Sequence, residues 1–280
     1  MRAILDFLAL IDRRIIYAVL IFAIILPLFL KPTLPSSPTK EVIEAYNAVE
    51  SLKEDDIILI STDYGPSAYP ELQPVLEVVL EQSFKKNVKV LLMTHWQFEG
   101  LIVGINAIEK VAKRYNKVYG KDYLILGFKP GVLGVMIGLS EDFRKVFPTD
   151  YYGKPIDSYE IYKKLIKDDT VLNYKDINLL FGFEAGATGD SWVQIVQARY
   201  GVKMAFAVTA VMAPGYFPYY QAKQIVGLVG GLKGAFDYES LNKSKGLASL
   251  IMISQVVVHS VILVFILLGN VGFIIRRILG

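Results

Sequence analysis

Apolar runs of two lengths divide the chain. At the ends they are long: Ile15 to Leu30 (IIYAVLIFAIILPLFL) contains no charge, and a second run extends from Leu247 to Ile275. Between residues 41 and 245 they shrink to five or so residues and alternate with amphipathic stretches. A helix rises about 1.5 Å per residue and the hydrocarbon core of a bilayer is about 30 Å thick, so about 20 apolar residues are needed to cross it. The second run meets that length with tilt. The first falls slightly short and has Arg13, Arg14 and Lys31 at its ends, where long basic side chains reach the interface. A cleaved signal peptide is the rival reading, but the first run ends in KPTLPSSP, without a small-residue cleavage site.

The expected organisation is an interfacial segment over 1–14, a first span over 15–31, a linker over 32–40, one domain over 41–245, a second span over 247–275 and a basic tail over 276–280. The linker's three prolines and two serines favour an extended spacer. Ser254, Gln255, His259, Ser260 and Asn270 lie inside the second span, where hydrocarbon offers no hydrogen bond, so they are expected to face another helix. For His259 that contact is preferred to a proton relay. Two spans place both termini on one side of the cell membrane. The basic residues near the two sides are almost balanced, but the pairs Arg13-Arg14 and Arg276-Arg277 abut the spans, which favours cytoplasmic termini and an extracytoplasmic domain.

Within the domain, Ile57–Thr62, Val88–Thr94, Tyr123–Phe128, Asn178–Phe183 and Val202–Thr209 read as strands buried on both faces. Helical stretches at Leu72–Lys86, Phe98–Val118, Val132–Val146 and Ser191–Tyr200 separate them. This β-α alternation predicts an α/β fold: a Rossmann-like, flavodoxin-like parallel sheet domain flanked by N- and C-terminal transmembrane helices. With the order 2-1-3-4-5, a ligand would sit between the first and third strands, beyond their carboxyl ends.

The loops at that end hold the candidate ligand-binding residues: Asp63 and Tyr64 after the first strand, Lys129 and Gly131 after the third, and Glu184, Thr188 and Asp190 after the fourth. Lys129 and the glycines around it could hold an anion, against a plain Pro-Gly turn. Thr188 or Asp190 is expected to cap the following helix. Glu184, a carboxylate ending a buried strand, needs a partner, and Lys129 on a neighbouring strand is the expected one. If the chain is an enzyme, Asp63, Lys129, Glu184 and His95 are the catalytic candidates, for acid-base work or around a metal of unknown identity. The polar, tyrosine-rich segment Tyr151–Asp176 reads as an insertion with one helix near Ser158–Ile166. Tyr216–Gly234 reads as a helix whose Gly227, Gly230, Gly231 and Gly234 form a bare face for assembly, alongside His259 in the second span.

Composition narrows the function. The chain is 53% hydrophobic, with a mean hydropathy of +0.41, which excludes disorder. It has no cysteine, only two histidines, and a net charge of +3 over 280 residues, so thiolate chemistry is excluded and no nucleic-acid partner is expected. The sequences GxSxG, HExxH and GxxxxGK[ST] are all absent. The expected function is a membrane-anchored, non-catalytic module without a cofactor. It would self-assemble or scaffold other membrane proteins in contact with lipid, with small-ligand binding at the sheet. The alternatives are a tethered hydrolase or transferase using Asp63, Lys129 and Glu184, and a transporter formed by a ring of copies.

Overall fold

The computed structural model describes residues 12–30, 32–96, 98–166 and 171–279. The interfacial segment expected over 1–14 falls almost wholly outside the described residues, as does Lys31. The described chain divides into two units, Ser36–Ser244 and the terminal regions around it.

The central unit is a six-stranded sheet of β1 (Ile57–Asp63), β2 (Lys89–Thr94), β3 (Tyr123–Phe128), β4 (Leu179–Glu184), β5 (Met204–Val208) and β6 (Gly227–Gly230). All five pairings are parallel. Every residue of β1, β2, β4 and β5 is buried, which is why these strands read as continuous apolar runs. The helices Lys40–Glu50, Tyr69–Lys85, Glu99–Arg114 and Gly231–Leu241 cover one face. The helices Val132–Glu141 and Ala213–Gln221 and a helical stretch that starts at Thr188 cover the other.

The order is β3-β2-β1-β4-β5-β6. It corrects the order 2-1-3-4-5: after β3 the chain crosses back over β2 and β1 and lays β4 beside β1. The reversal of strand order therefore falls between β1 and β4, with β3 at an edge.

A second correction concerns Tyr216–Gly234, which is not one helix. A helix ends at Gln221, β6 follows, and a new helix starts at Gly231. The four glycines therefore share no helical face. A Cβ on Gly227 would lie 2.3 Å from both the backbone nitrogen and Cα of Ala45, so glycine is what lets the helix Lys40–Glu50 rest directly on β6. Gly231 turns the chain into the next helix at φ +63, a conformation that only glycine adopts without strain. Spacings of three and four residues imitated a helix, although each glycine answers a different local need.

The helix Lys40–Glu50 was not anticipated, yet Val42, Ala45, Ala48 and Val49 form a buried stripe at helical spacing. The last part of the linker is not a free spacer either. Ser36 Oγ donates to Asp237 Oδ1 at 2.8 Å, and Lys233 Nζ donates to Asp237 Oδ2 at 2.5 Å. Asp237 is 1% exposed, so its charge depends on these two donors. Asp237→Ala is expected to cost about 1–3 kcal/mol and to open residues 32–40 to proteolysis; an unchanged cleavage pattern would show that the strap does not depend on Asp237.

The segment after β3 is part of the core. Ile156, Ile161, Tyr162, Leu172 and Tyr174 are buried, and the hydroxyls of Tyr119 and Tyr159 both donate to Asp150 at 2.6 Å. The helix Val132–Val146 of the sequence reading breaks at Asp142, which is extended and accepts from the Arg144 amide to start the short helix Phe143–Val146.

The terminal unit consists of two helices, Arg13–Leu30 and Leu247–Leu279, both long and apolar enough to span a membrane. They pack together at Ala23 and Pro27, and Ser254 Oγ donates to the Ile24 carbonyl at 3.2 Å. Ser260 and Asn270 bond instead to carbonyls of their own helix, those of Val256 and Ile266.

Candidate functional site

Asp63 and Glu184 end β1 and β4 and face each other in register at the switch point. Both are completely buried. Parallel register fixes the encounter: once Leu59 pairs with Leu180, the strand-end carboxyls fall opposite each other.

The two carboxyls have unequal surroundings. Asp63 accepts from the His95 amide at 2.5 Å and from Ser61 Oγ at 2.6 Å, donors suited to a charged carboxylate, while Thr94 Oγ1, 3.2 Å away, has the Thr62 carbonyl as its closer acceptor at 2.7 Å. Neither oxygen of Glu184 has a donor in good geometry. Burial first, then the charge of Asp63 and the hydrogen bond between the two side chains, raise the Glu184 pKa well above the ordinary glutamate value, against a weaker pull from the Gly189 amide. Glu184 is therefore held protonated and donates to Asp63. Gly182 makes room first for the Phe206 ring and then for this carboxyl, since a Cβ there would lie 2.4 Å from Phe206 Cε1 and 2.9 Å from Glu184 Oε1.

Three further side chains without hydrogen-bond partners complete the cluster. His95 leaves both ring nitrogens unbonded, Trp192 its Nε1 and Tyr216 its hydroxyl. The His95 and Trp192 rings lie 5.4 Å apart. A Cβ on Gly189 would fall 2.0 Å from the Tyr216 hydroxyl oxygen and 2.9 Å from Glu184 Cγ, so Tyr216 reaches Glu184 across a bare glycine. Burial lowers the His95 pKa, against the opposing charge of Asp63, and keeps the imidazole neutral. Burial also raises the Tyr216 pKa, with Glu184 the next cause, and keeps the phenol protonated.

Trp192 opens a six-residue π-helical segment, Trp192–Gln197, inside the helical stretch Thr188–Tyr200. Such wide turns are rare and concentrate at functional sites. Each unpartnered buried group costs about 1–3 kcal/mol. His95, Trp192 and Tyr216 carry such groups in the segments that follow β2, β4 and β5, a large cost for a fold to bear without a compensating role.

No protein-family model, no curated protein and no solved structure matches the chain. The site has to be read from its own chemistry.

The other sequence candidates scatter. Lys129 follows β3 and is separated from β4 by two strands, so it is not the partner of Glu184; its ammonium lies 6.0 Å over the Phe147 ring. Lys129 lines an open cleft of about 460 Å³ with Phe98, Ile102 and Tyr151, while Gly131 starts the next helix at φ +85. Tyr64 faces the helix Tyr69–Lys85 and donates to Gln73 Oε1 at 2.5 Å. Thr188 and Asp190 do not cap their helix: Ala187 holds the cap position without a side-chain bond, and Asp190 accepts from the Tyr219 hydroxyl at 3.0 Å. His259 lies in the terminal unit, exposed on its helix. Among the described residues no group of three or more acidic or histidine side chains could hold a metal ion.

Sequence reasoning missed Trp192 and Tyr216. An aromatic residue in an apolar stretch looks the same whether or not its polar atom finds a partner, so neither carried a signal. The structure thus joins Asp63, Glu184 and His95 of the sequence candidates, adds Trp192 and Tyr216, and excludes Lys129.

Proposed function

We propose that the chain is a two-pass membrane-anchored α/β module that binds a small polar ligand at the β1/β4 switch point and acts by association rather than by turnover. The observation that carries this reading is that His95, Trp192 and Tyr216, in the segments that follow β2, β4 and β5, keep buried polar atoms without partners beside the Asp63–Glu184 pair, at the end of the sheet where parallel α/β folds bind their ligands. Trp192 offers a donor, while neutral His95 and Tyr216 can each donate and accept. With Glu184 protonated and Asp63 held by the His95 amide and the Ser61 hydroxyl, this set of donors and acceptors suits an uncharged, hydrogen-bonding molecule. Lipid and other membrane proteins are the partners of this reading, and the arginine pairs beside the spans favour cytoplasmic termini.

A tethered hydrolase or transferase keeps one favourable observation, a protonated carboxyl in register with a second strand-end carboxyl, an arrangement that acid-base chemistry can use. It loses the lysine on which it was to rely.

Native mass spectrometry of the full chain in mild detergent tests the proposal. The wild type is expected to carry a small non-lipid adduct that Glu184→Leu releases. A wild type that flies at its bare mass from every preparation would contradict it.

A further inference from the structure

We propose that the helix Leu247–Leu279 pairs two copies of this chain inside the membrane, along a seam marked by Gln255 and His259. The inference rests on the reading of the two apolar helices as membrane spans and is independent of the switch-point ligand.

The face turned to the first helix includes Ser254, Val261, Phe265 and Gly272, all buried or half-buried. One residue further on, about 100° around the helix, Gln255, His259, Ile262, Ile266, Gly269 and Phe273 recur in alternating steps of four and three, the period of a helix-helix seam. All six are exposed, Ile266 at 52% and Phe273 at 65%. A Cβ on Gly269 would touch nothing, which leaves room for a second backbone to come close.

The two polar side chains identify the occupant. Ser254, Ser260 and Asn270 have backbone acceptors within this unit, whereas no hydrogen bond joins Gln255 or His259 to any described residue. Hydrocarbon cannot supply one. Between its arginines and Leu30, the first helix has a single hydrogen-bonding side chain, Tyr17, which is itself 61% exposed. An amide and an imidazole each donate and accept, so the Gln255–His259 pair is its own complement across a two-fold axis. A second copy therefore satisfies all four groups at once.

The chain has no cysteine, so single cysteines report the seam directly. In membranes holding the full chain, oxidation of Ile262→Cys or Ile266→Cys is expected to give a covalent dimer of twice 31.3 kDa, and Val264→Cys, on another face, is not. Adding Gln255→Leu and His259→Leu to Ile262→Cys is expected to lower the yield about tenfold, the effect of losing two intramembrane hydrogen bonds. Absence of cross-linking at both seam positions, equal cross-linking at Val264→Cys, or an unchanged yield in the combined variant overturns the pairing, provided the protein resists carbonate extraction. Release by carbonate overturns the spanning reading and the pairing with it, and leaves the switch-point site untouched.

Discussion

Glu184→Gln is expected to stabilise the protein increasingly as pH rises above the ordinary glutamate value and to remove the fall of stability with pH that Glu184 causes. In the folded chain Glu184 keeps its proton well above the ordinary value of 4.5, whereas the unfolded chain releases it there. The folded state then binds more protons than the unfolded one, so stability falls as pH rises, by about 1.4 kcal/mol for each pH unit up to the raised folded value. His95 acts in the opposite sense, because its folded pKa lies below the ordinary 6.5 and its contribution grows as pH rises to that point. Wild type and variant both keep His95, so the difference between them isolates Glu184. A glutamine amide can donate to Asp63 as the protonated carboxyl does, yet has nothing to release. Denaturant unfolding of both proteins at several pH values upward from 4.5 should show the advantage of the variant growing with pH until the raised folded value is passed. Parallel profiles would mean that Glu184 titrates in the folded protein as it does in the unfolded one and that its proton is not retained.

Gly227→Ala is expected to be among the most damaging substitutions of a single methyl group in the molecule. The added carbon would lie 2.3 Å from backbone atoms of Ala45, and a backbone cannot swing away as a side chain can. Relief requires lifting the helix Lys40–Glu50 from β6, which exposes Val42, Ala45 and Val49. Overpacking typically costs about 1–3 kcal/mol, and a backbone clash belongs at or above the top of that range. Gly134→Ala, whose Cβ would meet nothing, is the control and should be close to neutral or slightly stabilising. Thermal unfolding of the two variants beside the wild type measures the difference. A Gly227→Ala protein as stable as the control would show that this contact is looser than described.

The parallel sheet was legible because strands buried on both faces are spelled by unbroken apolar runs such as IILIS and VLLM, and the two long helices because their apolar runs are too long for a strand and carry no charge. β6 was hidden because two of its four residues are glycine, Gly227 fitting against Ala45 and Gly230 against Ala213 rather than favouring extension. Strand order was hidden as well. Nothing local to Lys129 or Glu184 says which strand each will adjoin, and the crossover from β3 to β4 decides it. Asp63 and Glu184 could be picked out because a carboxylate ending a buried strand is expensive. That the second carboxyl would be the neighbour of the first, with no lysine between, depended on topology. Trp192 and Tyr216 became visible only once their missing partners could be seen.

The central claim is that the polar cluster between β1 and β4 exists to hold a small molecule. The most direct measurement is an experimental density map of the full chain, purified from membranes in mild detergent, at a resolution that resolves ordered water. The account predicts non-protein density bridging at least three of Glu184, His95, Trp192 and Tyr216. A map in which these side chains bond only to ordered water molecules, or to one another, would contradict it.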